Sequence, residues 1–335
     1  MIGIRVDSND IIATGHVMRC LSIAEYMQEP PLFICSEQKT KEFVENTGYR
    51  AISLNNKYNE KDSEIEALLD IIVRENINVL LIDSYYVTCE YLRQLHKKVK
   101  IAYIDDLNSF KYDVDMLINY TFKVDKAIYE CWNYSNVEFL LGSKYVPLRS
   151  QFEREGIVIK DVKNIFLTTG GTDNNHMILE VLDRLFSNNY LDYDINIVIG
   201  RYYKDYNELN QYINDNANIH LYKNVSDMAS IMTMCDIAVS AGGVTLTELA
   251  TLGIPTICFA IADNQLEGIS AYEREELMIN AGDVRKDREA VVDKIVENIY
   301  YLANNLDIRQ NMSKKMKQNF DGCGARRIAD MLEKI

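Results

Sequence analysis

The sequence lacks long apolar runs, Cys-x-x-Cys pairs and any excess of basic residues. Because no apolar run reaches the roughly 18 residues that a spanning helix needs, no transmembrane helix is expected. The chain enters a strand pattern at once, without the layout of a signal peptide. Its seven cysteines are scattered in mostly apolar contexts, which predicts reduced core thiols in a cytoplasmic protein. The four histidines show no H-x-x-x-H or E-x-x-H spacing, so no metal site is expected.

The shortage of basic residues limits the classes of partner that the protein is expected to bind. The formal net charge of the 335 residues is −14, and residues 1–150 contain 17 basic and 22 acidic side chains. The remainder of the chain is also acidic. Neither half therefore suits nucleic acid or an anionic membrane surface. A small anionic ligand stays compatible, because helix N-termini and a few arginines create local positive sites.

The length and the strand pattern predict two α/β domains. At about 150 residues per domain, the chain favours two. Continuous apolar strands alternate with helices in both halves, which indicates parallel sheets covered on both faces. The charged region Glu153–Lys163 is predicted to be the linker, giving domains 1–152 and 153–335. Whether the last helix packs back on the first domain stays open.

A glycine turn organises the stretch Ile237–Gln265. An apolar strand runs into Ala241-Gly242-Gly243, and a helix over Thr245–Leu252 follows. Such a turn presents backbone N–H groups and the positive end of a helix dipole to an anion. Glu248, one turn into the helix, is placed to reach ribose hydroxyls. The alternative is an ordinary β-α-β unit whose glycines only form the turn.

A second turn of this kind is Gly170-Gly171-Thr172-Asp173, which also follows an apolar strand. Its glycines suit an anion in the same way. Asp173 has two interpretations of equal weight: it belongs to the ligand site, or it caps the helix behind the turn. Ligands of open α/β sheets bind outside the carboxyl ends of the strands, so the polar clusters that follow the strands are expected to converge on one cleft.

His16 is the candidate base of the first half, because Gly15-His16 starts a helix after a strand and a loop. An imidazole at a helix start can accept a proton from water. The alternative is a polar residue that caps a turn. Tyr85 follows the strand Val79–Ile82 and is placed to donate a hydrogen bond to a sugar or to water. Its alternative is a half-buried interface tyrosine.

Two further features admit a site or a structural role. Asp105-Asp106 are paired acids or the cap of a turn, and Arg149 is a bidentate ligand for a substrate oxygen or a surface ion pair. The sequence contains no G-x-S-x-G, P-loop or G-x-G-x-x-G motif. This disfavours a serine hydrolase, a P-loop NTPase and an NAD enzyme, and no cofactor is expected.

Seven motifs occur in order over nearly the whole length of the chain. They are Arg5-Val-Asp7-Ser8, Gly15-His16-Val-Met-Arg19-Cys-Leu, Asp83-Ser-Tyr85, Pro147-Leu-Arg149, Gly170-Gly-Thr-Asp173, Ser240-Ala-Gly-Gly243-Val-Thr-Leu-Thr-Glu248 and Asn264-Gln265. With these motifs the chain resembles the UDP-sugar hydrolases of pseudaminic acid biosynthesis, which are grouped with spore-coat polysaccharide homologues. The C-terminal half also resembles the related murein N-acetylglucosaminyltransferase.

The resemblance implies a GT-B fold, in which two Rossmann-like domains with parallel sheets face a central cleft. It implies that UDP binds mainly to the C-terminal domain. It also implies hydrolysis of the anomeric C–O bond of a UDP-linked diacetamido-trideoxy sugar, which releases UDP and the free sugar without a metal. The substrate would thus be a UDP-sugar of bacterial pseudaminic-type acid biosynthesis.

The resemblance also implies residue roles. His16 is the base or the group that positions water, and Tyr85 matches the tyrosine of the cleft. Arg149 matches a substrate-binding arginine, Glu248 the acid that holds the ribose, and Asn264 the asparagine near sugar and diphosphate. The other binding residues expected are Asp7, Gly15, Arg19, Gly170, Gly171, Thr172, Asp173, Gly243, Thr245, Leu246 and Gln265.

One departure from the family pattern is Ala13, which stands where glycine is usual before the first helix. It affects the geometry of the loop that precedes His16. Two other functions stay open: a glycosyltransferase of surface or spore-coat polysaccharide that uses the same site, and a binding module without turnover. The sequence leaves the identity of the sugar and the oligomeric state undetermined, with a monomer one alternative.

Overall fold

The computed structural model describes residues 1–8, 15–154, 156–187, 193–200 and 203–335. The chain divides into two compact units. Unit 1 comprises Met1–Ser150 together with Gly322–Ile335, and unit 2 comprises Gln151–Asp321. Each unit has a parallel sheet of its own, so two α/β domains are present as the strand pattern predicts.

Unit 1 is built on a seven-stranded sheet. Its strands are β1 (Ile2–Val6), β2 (Leu32–Cys35), β3 (Ala51–Ser53), β4 (Val79–Asp83), β5 (Lys100–Ile104), β6 (Met116–Asn119) and β7 (Glu138–Leu141). They lie in the order β3-β2-β1-β4-β5-β6-β7, and all pairs are parallel. The connecting helices are α1 (Gly15–Ala24), α2 (Gln38–Glu45), α3 (Ile65–Arg74) and α4 (Cys89–His96).

Both faces of this sheet are buried, because the strands are apolar on both sides. One core forms where Ile4 and Leu81 meet Val17 of α1. The other forms on the opposite face, where Leu80 packs with Leu68 of α3. Burial of this apolar surface, at about 25 cal/mol per Å², holds the edge of the sheet in a fixed geometry.

Unit 2 is built on a six-stranded sheet. Its strands are β8 (Asn164–Thr168), β9 (Asp194–Ile199), β10 (Ile219–Lys223), β11 (Ile237–Ala241), β12 (Thr256–Ala260) and β13 (Ile279–Asp283). They lie in the order β10-β9-β8-β11-β12-β13, again all parallel. Its helices are α5 (Met177–Ser187), α6 (Tyr206–Asp215), α7 (Met228–Thr233), α8 (Val244–Leu252), α9 (Asp263–Arg274), α10 (Arg288–Asn304) and α11 (Leu306–Asn319).

The last helix, α12 (Gly324–Leu332), packs on α1 and so belongs to unit 1. Ile328 and Leu332 are buried in the same core as Val17. The helix begins at a glycine because the chain comes very close to Val146 there. A Cβ on Gly324 would lie 2.2 Å from the Val146 carbonyl oxygen.

Three of these strands and helices are not predicted by the sequence patterns. β7 is a short strand at the sheet edge, and β13 contains Gly282 at φ +123°, next to a shift in its register with β12. α9 contains few apolar residues, so its helical period is weak. Since α9 begins at Asp263, the residues Asp263, Asn264 and Gln265 form the first turn of a helix.

Candidate active site

The first candidate site lies where the strand order of unit 1 reverses. β1 and β4 are neighbours in the sheet although two strands separate them in sequence. The helices that follow them leave such a point in opposite directions, which opens a crevice at the carboxyl edge. His16 in the first turn of α1 and Asp83 at the end of β4 meet at this edge.

His16 is held by Asp83. The His16 Nδ1 atom lies 2.6 Å from Asp83 Oδ1, and the histidine is only 9% exposed. Arg19 Nη2, a donor, also lies 3.1 Å from Nδ1. The contact with the Asp83 carboxylate, which can only accept, is the shorter of the two and favours the tautomer with the proton on Nδ1. The neutral ring then has Nε2 as its acceptor, which is the state that a general base needs.

Arg19 holds Asp83 from the other side. Its Nε donates to Oδ2 and its Nη2 to Oδ1, each at 2.5 Å. Burial by itself raises the pKa of Asp83, but the charge of Arg19 and the hydrogen bonds from Arg19 and His16 lower that pKa to about 2. Asp83 is therefore ionised at neutral pH and can stabilise a protonated His16.

The rest of the Arg19 guanidinium is also engaged. Its Nη1 donates to Asp106 Oδ2 at 3.0 Å and to the Tyr120 hydroxyl. The family resemblance assigned Arg19 to substrate binding, whereas the structure bonds it to side chains of unit 1. Asp83, Asp106 and Tyr120 come from the ends of three neighbouring strands. Sequence reasoning gave Asp83 and Tyr120 no role at the site and left Asp106 open between a paired acid and the cap of a turn.

Tyr85 lies against His16. The two ring centroids are 4.7 Å apart with the rings nearly perpendicular, and Tyr85 is 43% exposed. Its hydroxyl donates to Asp106 Oδ2 at 2.9 Å. Burial, and next the charge of Asp106, raise the pKa of Tyr85 well above its ordinary value, so the hydroxyl keeps its proton. That proton is directed to Asp106, which leaves the oxygen to accept hydrogen bonds.

Asp7 lies at the end of β1, but its carboxylate is buried in an ion network. It accepts from the Ser36 backbone N–H at 2.6 Å and from Lys61 Nζ at 2.5 Å, and Arg5 Nη1 lies 2.9 Å away. Burial opposes ionisation, but the charges of Arg5 and Lys61 hold the pKa of Asp7 far below its usual range. The described contacts of Asp7 are thus internal to unit 1.

Three other residues of the first half were singled out in the sequence: Gly15, Arg149 and Ala13. Gly15 is the exposed first residue of α1, and Arg149 is half-buried just before the end of the continuous part of unit 1. Ala13, the departure from the family pattern, lies outside the described residues.

The second candidate site lies at the matching edge of unit 2, where β8 and β11 are neighbours. After β8, Gly170 has φ +83°, a conformation that favours glycine. The turn also packs tightly on Gly200, whose Cβ would lie 2.5 Å from the Gly170 carbonyl oxygen. Gly171 is exposed and Thr172 is half-buried at this turn.

Asp173 caps α5. Its two carboxylate oxygens accept from the backbone N–H groups of Met177 and Ile178, each at 2.9 Å. Burial raises the pKa of Asp173 in spite of these two bonds, which lower it. Of the two interpretations that the sequence left open, the helix cap is therefore the one observed, and a carboxylate already occupies these two amides.

The helices after β11 and β12 start side by side. A Cβ on Gly242 would lie 2.7 Å from Ile269 Cδ1 and 2.9 Å from Gln265 Cβ, so glycine permits this close contact with α9. The Gln265 side chain accepts from the Ile261 backbone N–H at 2.8 Å, which fixes the loop before α9. Within the described ranges, no side-chain oxygen caps the start of α8 or of α9.

The remaining predicted residues lie along these two helices. Gly243 is exposed at the start of α8, while Thr245 and Glu248 are half-buried on it. Leu246 is buried in the core, so only its backbone is available at the edge. Asn264 is exposed in the first turn of α9. The structure thus brings His16, Arg19 and Tyr85 together in unit 1, and the α8 and α9 residues together in unit 2.

Two kinds of feature are absent from the described part of the chain. No group of three His, Cys, Asp or Glu side chains there is arranged to hold a metal ion. No helix there is both long and apolar enough to cross a membrane.

Comparison with known proteins gives sequence relatives. Residues 164–328 match the glycosyltransferase family 28 C-terminal domain. An uncharacterized protein of Methanocaldococcus jannaschii is 26% identical, covering 79% of this chain and 56% of that protein. The spore coat polysaccharide biosynthesis protein SpsG of Bacillus subtilis is 22% identical, covering 100% of this chain and 98% of SpsG.

A third relative is a Helicobacter pylori protein that is named for two activities. The pseudaminic acid cytidylyltransferase and UDP-2,4-diacetamido-2,4,6-trideoxy-beta-L-altropyranose hydrolase of Helicobacter pylori is 26% identical, covering 79% of this chain. The chain spans 45% of the length of that protein. It therefore spans about half the length of two of these relatives and nearly all of SpsG.

Solved structures give the fold. MurG of Acinetobacter baumannii superposes with a TM-score of 0.68 at 11% identity, covering 100% of this chain and 99% of MurG. The UDP-GlcNAc 2-epimerase of Neisseria meningitidis gives 0.69 at 13% identity, covering 100% of both chains. The two parallel-sheet domains thus form a GT-B fold. Together with its sequence relatives, this fold confirms the resemblance of the chain to SpsG and to the Helicobacter pylori cytidylyltransferase and UDP-sugar hydrolase.

Proposed function

We propose that this protein is an enzyme that hydrolyses a UDP-linked diacetamido-trideoxy sugar at its anomeric C–O bond, in bacterial pseudaminic-type acid biosynthesis. The observation that carries the proposal is the contact of His16 Nδ1 with Asp83. A histidine bound in this way presents Nε2 as a base beside the exposed ring of Tyr85. Such a base can turn water into a nucleophile at neutral pH.

The reaction needs one proton transfer and one displacement. Nε2 of His16 takes a proton from water as the water oxygen bonds to the anomeric carbon. The bond from that carbon to the diphosphate oxygen breaks, and its electron pair leaves with UDP. Asp83 stabilises the imidazolium that forms, and side chains of the protein fill each role without a metal.

In this reaction the nucleotide would bind to unit 2. The departing diphosphate is an anion, and the uncapped starts of α8 and α9 offer backbone N–H groups to it. Gly170, Gly171 and Gly243 allow the diphosphate to approach the backbone. Glu248 would hold the ribose and Asn264 would contact the sugar and diphosphate. Arg149 would be a ligand of the sugar nucleotide.

The relatives support this substrate class. The Helicobacter pylori protein is named for hydrolysis of a UDP-linked diacetamido-trideoxy sugar. It resembles this chain over a region that makes up 45% of its own length, so the assignment of that activity to this chain rests on the His16 geometry as well.

The test is the release of UDP from the pseudaminic-pathway UDP-sugar, followed by NMR. General base catalysis contributes about 10²- to 10⁴-fold, so His16→Asn should lower kcat by that factor with little change in KM. The matched control is His220→Asn, because His220 lies on β10 beside Asp194 in unit 2. Absence of UDP release by the wild type, or equal rates in wild type and His16→Asn, would refute the proposal.

A second candidate function is a UDP-sugar-dependent glycosyltransferase of surface or spore-coat polysaccharide. The match of residues 164–328 to a glycosyltransferase domain favours it. In that case His16 would deprotonate a sugar hydroxyl in place of water. UDP release that depends strictly on an added acceptor would decide for the transferase.

A further inference from the structure

Asp106 lies at the same edge as His16 and has no role in the function proposed above. It follows β5, and its side chain is 23% exposed. One oxygen, Oδ2, accepts from the Tyr85 hydroxyl at 2.9 Å and from Arg19 Nη1 at 3.0 Å. Asp106 is thus bonded to Tyr85 and Arg19, two of the residues that contact His16.

The bond to Asp106 decides what Tyr85 can do. A tyrosine hydroxyl has one proton to donate, together with lone pairs that accept. Since the proton is directed to Asp106, the Tyr85 oxygen faces other groups as an acceptor. Without Asp106 the hydroxyl could rotate and donate its proton to the water or the substrate.

An attacking water benefits from two acceptors. A water molecule has two protons, and its nucleophilic lone pair points away from both. If His16 Nε2 accepts one proton and the Tyr85 oxygen accepts the other, the orientation of the water is fixed. Such orientation lowers the entropic cost of attack.

We propose that Asp106 is a positioning residue of the hydrolase site: it holds Tyr85 as the second acceptor for the attacking water. This inference rests on the function proposed above. Arg19 has a separate task, because its bidentate bonds to Asp83 do not involve Asp106. Removal of Asp106 therefore acts mainly through Tyr85.

The kinetic test compares Asp106→Ala, Tyr85→Phe and the double variant with the wild type. A hydrogen bond to a charged group is worth enough to change a rate about 10- to 100-fold, so Asp106→Ala should lower kcat by that factor at nearly unchanged KM. Asp106→Asn keeps an acceptor oxygen and should recover part of this loss. The double variant should be no more than about twofold slower than Tyr85→Phe, since the two changes remove the same function.

The control is Asp113→Asn, because Asp113 is an exposed acid bonded to His96. It should leave kcat unchanged. Losses from Asp106→Ala and Tyr85→Phe that multiply in the double variant would overturn the proposal, as would a normal kcat for Asp106→Ala.

A second measurement does not depend on turnover. The proton on Tyr85 can be followed by NMR of protein labelled at tyrosine Cζ, with Tyr85→Phe to assign the signal. Because the Asp106 charge helps to raise the pKa of Tyr85, Asp106→Ala should shift its titration to lower pH. An unchanged titration refutes the link between Asp106 and Tyr85. A shifted titration with no UDP release by the wild type refutes the hydrolase function, and with it the role of Asp106 in water attack.

Discussion

Asp83→Asn tests whether the orientation of His16 depends on a carboxylate. The change keeps the shape of the side chain but replaces one oxygen by an NH₂ group and removes the charge. An amide hydrogen facing Nδ1 makes Nδ1 the acceptor and moves the ring proton to Nε2. His16 then cannot accept a proton from water, so we expect kcat for UDP release to fall about 10²- to 10⁴-fold.

The same change also lowers the stability of unit 1. The folded-state pKa of Asp83, about 2, lies below its usual 3.8, which corresponds to about 2–3 kcal/mol at pH 7. Loss of one partner from a buried ion pair costs about 3–5 kcal/mol, but Arg19 keeps its bonds to Asp106 and Tyr120. We therefore expect the free energy of unfolding to fall by about 2–3 kcal/mol.

The pH dependence of this loss of stability follows from the direction in which the pKa of Asp83 is shifted. A carboxyl group whose pKa is lower in the folded state stabilises the fold above its unfolded pKa and loses that effect as pH falls through the folded value. The difference between wild type and Asp83→Asn should thus be full above about pH 4 and shrink towards pH 2. Trp132, the single tryptophan, lies in unit 1, so its fluorescence during urea unfolding reports on the unit that contains Asp83.

Asp105→Asn is the matched control for the loss of stability. Asp105 is also buried in unit 1, where it accepts from the Tyr112 and Tyr129 hydroxyls at 2.8 and 2.6 Å. It should lose about 1–3 kcal/mol of stability and keep kcat within a few fold. An Asp83→Asn protein with the kcat of the wild type would show that His16 does not depend on Asp83, and the mechanism would have to be abandoned.

Two further predictions concern unit 2. Gly242→Ala should lower the free energy of unfolding by about 1–3 kcal/mol and weaken UDP binding, since its Cβ would displace Gln265 and Ile269 of α9. Titration calorimetry with UDP measures the affinity. The control is Gly268→Ala, where a Cβ meets nothing within 4 Å, and it should leave the affinity unchanged. Asp173→Ala should lower the free energy of unfolding, measured in urea, by about 1–2 kcal/mol, because the backbone N–H groups of Met177 and Ile178 lose their acceptor. An unchanged free energy of unfolding would contradict the capping role.

The alternation of elements could be predicted because it depends on local patterns. Apolar strands such as Val79–Asp83 are hydrophobic on both faces, and this pattern is typical of a parallel sheet. Local patterns do not predict β7 and α9. β7 is only four residues long, and pairing with β6 stabilises it. α9 contains few apolar residues, and packing on β12 and β13 stabilises it.

The sequence by itself determined the two α/β domains, the glycine turns and a histidine in the first turn of a helix after a strand. Only the tertiary structure decided which groups surround that histidine. Asp83, Asp106 and Tyr120 follow three different strands, and the strand order that brings them to Arg19 is set by long-range pairing. The tertiary structure also decided that Asp173 caps α5, because the direction of a side chain at a strand end depends on what packs around it.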